Sequence, residues 1–211
     1  MKIAITQRSD LIADCKENRD SLDQNWSRMF RDDILYPIPN LTHNFEEWAK
    51  IFGFDLIILT GGNDINYSKK SSNVCIERDE IEGQILKFSK ENNVPILGVC
   101  RGFQMINYYE GGRMSYNQDI PIEPHLVFLN ELCGSPNKKI YVNSYHKWYI
   151  PLDFLADKFE PLAIDYEGNI EAAKHKILPW LGLMWHPERN DFNNLEFDFL
   201  LKEFIEAVKC K

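Results

Sequence analysis

The stretch Val94-Pro95-Ile96-Leu97-Gly98-Val99-Cys100-Arg101-Gly102-Phe103-Gln104 decides the fold. Its first half is a short apolar run of buried-strand character, and a helical pattern begins at Arg101 with no loop between the two. Gly98, Cys100 and Gly102 stand in the spacing G-x-nucleophile-x-G, the grammar of a strand-to-helix elbow. A residue at so sharp a turn takes a strained backbone conformation, and side chains two positions either side would collide there, so both flanks are glycine. The elbow lifts the Cys100 thiol to the C-terminal edge of a sheet. It also sets the thiol at the positive end of a helix dipole, where a thiolate is favoured.

Outward from the elbow, residues 3–6 and 56–60 are two more brief apolar runs closed by polar or turn residues. Helical spacing falls between such runs, over 21–30 (with Leu22, Trp26 and Met29 or Phe30 on one face), 45–52 and 79–92. Strands alternating with helices predict a parallel sheet covered on both faces. The second half reads differently. Residues 140–145, 162–166, 170–174 and 181–185 are short runs separated by tight turns, Glu167-Gly168 among them, and predict antiparallel or mixed additions. A closing amphipathic helix places Leu195, Leu201, Phe204, Ile205 and Val208 on one face. The expected architecture is a three-layer αβα sandwich with a mostly parallel central sheet and a smaller antiparallel or mixed addition. Its 211 residues suit a single domain over 1–211.

A thiol nucleophile needs a base, and the base needs a group to orient it. His43, His125, His146, His175 and His186 are the candidates. His186 follows the strand-like run ending at Trp185 and opens His186-Pro187-Glu188. The proline stiffens the turn, and Glu188 is placed to fix the imidazole tautomer. His146, in Asn143-Ser144-Tyr145-His146, is the rival base. An acyl-transfer site also needs donors for an oxyanion. Thr60-Gly61-Gly62-Asn63-Asp64 ends another buried strand and reaches the same sheet edge. The backbone N–H of Gly62 with that of Arg101 makes the expected hole.

Composition narrows the classes. Apolar residues make up 44% and charged residues 27%, the balance of a soluble globular protein. A net charge of −8 repels phosphate backbones, so nucleic acid and anionic membranes are not expected partners. The start of the chain has no basic region leading into an apolar core, and the longest apolar runs are far below the ~20 residues of a spanning helix. Cys15, Cys75, Cys100, Cys133 and Cys210 are odd in number and without CxxC spacing, which argues against a disulfide framework or a zinc site and for a reducing cytoplasm. Outside the elbow, the cysteines are expected to be structural.

Taken in order, these segments resemble the class I glutamine amidotransferase superfamily, and within it the stand-alone γ-glutamyl-γ-aminobutyrate hydrolase-like branch. The matching residues are Thr60 to Asp64 with Tyr67 after them; Arg78, Asp79 and Glu82; Gly98 to Asn107; Gly111-Gly112; Gln118-Asp119; Asn143 to His146; Glu171-Ala172; and Trp185 to Glu188. The resemblance implies that Cys100 attacks the δ-carbonyl of a γ-glutamyl group and that His186, oriented by Glu188, protonates the leaving nitrogen and then activates water. It implies substrate contacts from Gly61, Gln104, Asn143, Ser144, Tyr145 and His146, no metal or organic cofactor, and no obligatory synthase partner. Thr60 and Met184 depart from the Pro and Gln usual in the branch, and Ile65-Asn66-Tyr67-Ser68-Lys69-Lys70 lacks its common proline. Those changes bear on the leaving group. Arg8, Arg19 and Tyr67, with Lys69 and Lys70, are the expected contacts on that side, since arginine suits phosphate oxygens. The resemblance extends to cleavage of γ-glutamyl-CDP-amidate to cytidine diphosphoramide in capsule modification. γ-Glutamyl-γ-aminobutyrate or another γ-glutamyl amine is the alternative substrate, and a glutaminase component of an amidotransferase the alternative role.

Overall fold

The computed structural model describes residues 1–130, 138–189 and 199–210. Their order is β1 (Lys2–Thr6), β2 (Arg8–Ile12), β3 (Glu17–Ser21), α1 (Asn25–Met29), β4 (Ile34–Ile38), α2 (Phe45–Phe52), β5 (Leu56–Leu59), α3 (Ile76–Asn92), β6 (Ile96–Val99), α4 (Arg101–Tyr109), β7 (Ser115–Tyr116), β8 (His125–Leu129), β9 (Lys139–Val142), β10 (Trp148–Tyr149), β11 (Phe159–Ile164), β12 (Ile170–His175), β13 (Trp180–Leu183) and α5 (Phe199–Lys209). Among the described residues the central sheet has the order β4-β1-β5-β6-β13-β12-β11-β8-β9. β4, β1, β5, β6 and β13 are parallel, and from β12 onward every pairing is antiparallel.

The layers follow from the two-residue period of a strand. Ala4, Ile57, Leu59 and Ile96 face α2, α3 and α4 through Phe45, Ala49, Ile81, Ile85, Phe103 and Ile106. Ile3, Ile5, Leu56, Ile58, Leu97 and Val99 face the other way, onto Trp26, Phe30, Leu200, Leu201 and Val208 of the α1 and α5 side. This is the αβα sandwich that the alternating pattern predicted. The antiparallel addition is made by tight turns. In the one between β11 and β12, Asp165 Oδ1 accepts from the N–H groups of Glu167 and Asn169, both at 2.8 Å, and Gly168 takes φ 85°.

Several boundaries differ from the sequence reading. Ser21 ends a β2–β3 hairpin, so the first helix is only Asn25–Met29. After β1 the chain goes straight into β2 at Arg8, a strand that the sequence reading did not expect. α3 starts at Ile76, a turn before residue 79. β4 and β8 have no counterpart in the sequence reading. Leu195 and Cys133 lie outside the described residues. Cys15 and Cys210 are exposed and Cys75 is half-buried. No helix among the described residues is long and apolar enough to cross a membrane.

Candidate active site

Cys100 caps α4 with φ 51° and ψ −107°, a left-handed conformation rarely tolerated by a side-chain-bearing residue. The neighbouring strand holds it there. Cys100 N–H donates to Leu183 O at 2.7 Å, and Cys100 O accepts from Gln104 N–H at 3.0 Å. The flanking glycines meet a steric demand: a Cβ on Gly102 would stand 2.0 Å from Leu59 O, and one on Gly98 2.8 Å from Gly102 O.

β13 pairs in parallel with β6, with Leu183 opposite Val99, so the chain leaving β13 passes the elbow. It carries His186 there. The imidazole Nδ1 lies 2.6 Å from Glu188 Oε1, and both side chains are buried. Burial opposes protonation of His186, but the charge of Cys100, its hydrogen bond to the ring and the Glu188 carboxylate together push the imidazole up to about 9. Asn143 braces this residue from behind: its Nδ2 donates to His186 O at 2.9 Å and its Oδ1 accepts from His186 N–H at 2.8 Å. Tyr145 packs edge-on against the imidazole at 5.4 Å between centroids, with the Arg189 guanidinium 4.6 Å from the centre of the Tyr145 ring.

The turn after β5 is organised by Arg78, which is fully buried. Its guanidinium donates to Thr60 O at 2.7 Å, Gly61 O at 3.0 Å and Gly62 O at 2.9 Å. With three carbonyls drawn to one side, the Gly62 segment is fixed beside Cys100. Glu82 balances Arg78, accepting from its Nε at 3.0 Å, from Thr6 Oγ1 at 3.0 Å and from Arg101 Nη1. Arg101 also pairs with Asp79. The Arg101 side chain is therefore structural, and its backbone N–H, first in α4, is the part available to a ligand.

Gly62, Cys100, Gln104, Tyr145 and His146 line one cavity of about 270 Å³. Gln104 Nε2 is tied to Trp148 O at 3.2 Å. Gly61 sits under the His186 ring, where an added Cβ would come 2.5 Å from Cε1. Ser144 is buried, while Asn143 serves the His186 backbone. The expected leaving-group residues are placed elsewhere. Arg8 packs beside Gly62 in a narrow cleft with His186 and Glu188, and its Nε donates to Asp10 at 2.7 Å. Arg19 is exposed on the hairpin and paired with Glu17 at 2.6 Å. The Tyr67 ring packs at right angles to Tyr108 and Trp148, and its hydroxyl accepts from Met114 N–H at 3.3 Å. Tyr116, Lys147, Asn73 and Ile122 line the cavity instead, and Lys70 stands over the Tyr116 ring at 5.7 Å. Lys147 follows the Asn143–His146 motif directly, and that adjacency was the one sequence signal available for it. Among the described residues no cluster of His, Cys, Asp or Glu is arranged to hold a metal ion.

The model of the class-I glutamine amidotransferase family matches residues 15–202 of this chain. The chain belongs to that family. Among curated relatives, the γ-glutamyl-CDP-amidate hydrolase of Campylobacter jejuni is 32% identical over 213 residues, covering 99% of this chain and 100% of its own. The glutamine-hydrolysing GMP synthase subunit of Methanococcus aeolicus is 32% identical over 165 residues, covering 74% of this chain and 76% of its own. A Thermoplasma acidophilum crystal structure, described as that of a GMP synthase subunit, superimposes with a TM-score of 0.70 at 21% identity. It covers 100% of this chain and 94% of its own, and bears on the fold alone.

Proposed function

We propose that this family member is a free-standing cysteine hydrolase that cleaves a γ-glutamyl amide or phosphoramidate bond through a glutamyl thioester on Cys100. The observation carrying this reading is the convergence of three elements on the thiol: the elbow, the His186–Glu188 pair at 2.6 Å, and the turn fixed by Arg78. In the mechanism, Cys100 Sγ attacks the δ-carbonyl carbon, and the oxyanion that forms is met by the N–H groups of Gly62 and Arg101. Collapse breaks the C–N bond as His186 gives its proton to the leaving nitrogen. Water, deprotonated by His186, then opens the thioester and frees glutamate and the thiol. Gln104, Tyr145 and His146 bind the glutamyl end. This chemistry calls for no metal or cofactor, and the chain acts in the cytoplasm as one domain without a synthase.

For the leaving group, near-full-length similarity to the Campylobacter jejuni enzyme supports γ-glutamyl-CDP-amidate, hydrolysed to cytidine diphosphoramide for capsule modification. Lys147 and Tyr116 in one cavity, with Lys70 outside it over the Tyr116 ring, suit a phosphate and a base better than an aliphatic amine. Similarity to the Methanococcus aeolicus GMP synthase component supports a second reading, a glutaminase that serves a synthase. The test is glutamate release by the isolated chain from γ-glutamyl-CDP-amidate, γ-glutamyl-γ-aminobutyrate and glutamine. Turnover of the first without a partner is expected, and Cys100→Ala should lower kcat by about 10⁴-fold or more with circular dichroism unchanged. Activity surviving in Cys100→Ala would refute the mechanism. A preference for γ-glutamyl-γ-aminobutyrate would refute the nucleotide leaving group.

A further inference from the structure

Beside the Cys100 cavity lies a second one, of about 260 Å³. His146 lines both, and the 120–123 segment borders both: Ile122 lines the Cys100 cavity, while Ile120 and Glu123 line its neighbour. Nothing in the mechanism uses this space, yet several buried polar groups that line it have no hydrogen-bond partner. Glu171 Oε1 stands 3.4 Å from His125 Nε2 and 3.8 Å from His146 Nε2, in both cases without hydrogen-bond geometry. Glu171 Oε2, Ser144 Oγ and both ring nitrogens of His146 are likewise unpartnered. Glu171, Ser144 and His146 are 1%, 2% and 7% exposed, so bulk water does not satisfy them. Leaving such groups unpaired is costly, and here they converge on one space.

The chemistry around them selects the occupant. Glu123, Asp165, Glu167 and Glu171 all border the cavity, and its lining among the described residues contains no Lys or Arg. Asp165 is spent on the turn before β12, with its two oxygens accepting from Glu167, Asn169 and the Asn169 amide. Glu171 at the base, its Oε1 shared with the His125 ring at 3.4 Å, and Glu123 and Glu167 at the exposed rim are therefore the acceptors left to a ligand. An anion is repelled here. An ammonium group brings positive charge and three donors to the Glu171, Ser144 and His146 acceptors, and Ile120, Leu126 and Tyr149 cover an aliphatic body. We propose that this cavity is a second ligand site, separate from the Cys100 pocket, that takes a small organic ammonium ion with its head on Glu171 and Ser144.

The test is titration calorimetry of the full chain with 1,4-diaminobutane, against 1,4-butanediol and succinate as neutral and anionic molecules of the same length. The diamine should bind saturably with a dissociation constant on the order of 1 mM or tighter. The diol and the diacid should be at least about tenfold weaker. Glu171→Gln should weaken the diamine by about tenfold or more. Glu123→Gln, a change at the exposed rim that does not threaten folding, should weaken it by a few-fold at matched melting temperature. No saturable heat with the diamine, equal binding of the diol, or unchanged affinity in both variants would each overturn the proposal. The readout is binding, so the result is independent of whether Cys100 hydrolyses a γ-glutamyl substrate.

Discussion

Cys100 and His186 share one electrostatic unit, and its pH dependence follows from the arrangement of charge around the ring. In an unfolded chain the imidazole titrates at about 6.5. In the folded protein Cys100 and Glu188 outweigh burial and hold it at about 9. A raised folded value means that the stabilisation is complete below about 6.5 and is lost as pH climbs to about 9. Unfolding free energy from urea titrations should therefore decline across that window, with a shallower slope in Cys100→Ala, which removes the leading cause of the rise. The same proton is the one the mechanism gives to the leaving group, so kcat/KM should carry an alkaline limb near 9. Cys100, His186 and Glu188 were legible in the sequence because each sits in a short local pattern with its own physical reason. Asn143 was legible as a position and not as a role. Its partner is the His186 backbone, 43 residues away, and local spacing does not reveal such a partner.

At the scale of elements, the turn after β5 and the first turn of α4 are coupled through the buried charges of α3. Arg78 and Arg101 converge on Glu82, which is fully buried and held below the ordinary carboxylate range by the two guanidinium groups against the opposing effect of burial. Glu82→Ala should thus destabilise the fold by about 3–5 kcal/mol, the cost of leaving buried charge uncompensated, seen as a lower urea midpoint. The sequence singled out Arg78, Asp79 and Glu82 as a motif, but that Arg78 gathers three carbonyls of the 60–62 turn needs the folded chain. Strands were legible where they are buried on both faces: β5 and β6 are unbroken apolar runs. β4 was missed because it is an edge strand interrupted by Pro37, with the exposed Ile34 at its start. β2 and β3 were missed because Arg8-Ser9-Asp10-Leu11-Ile12 and Glu17-Asn18-Arg19-Asp20-Ser21 bury almost nothing and show no alternation.

Over the whole molecule, the two helical layers clamp one sheet, and the tryptophans are spread across both sides. Trp26 lies in the α1–α5 layer, and Trp148 and Trp180 in the opposite one. If the chain is one cooperative domain, tryptophan fluorescence and far-ultraviolet circular dichroism should give coincident urea transitions; separated midpoints would divide it. Among the described residues five strands of the sheet pair in parallel and the other four are joined by antiparallel pairings, and β13 stands where the pairing changes, beside β6. On the proposed mechanism the nucleophile and its base are set by that one strand pairing, whereas Tyr116 and Ile122 of the same cavity come from the 115–123 segment outside the central sheet. Under that mechanism, reaction type and leaving-group choice are carried by separate parts of the chain. An engineer can exchange the 115–123 segment for a new leaving group and keep the proposed chemical step, because Cys100 and His186 are registered by the sheet beneath.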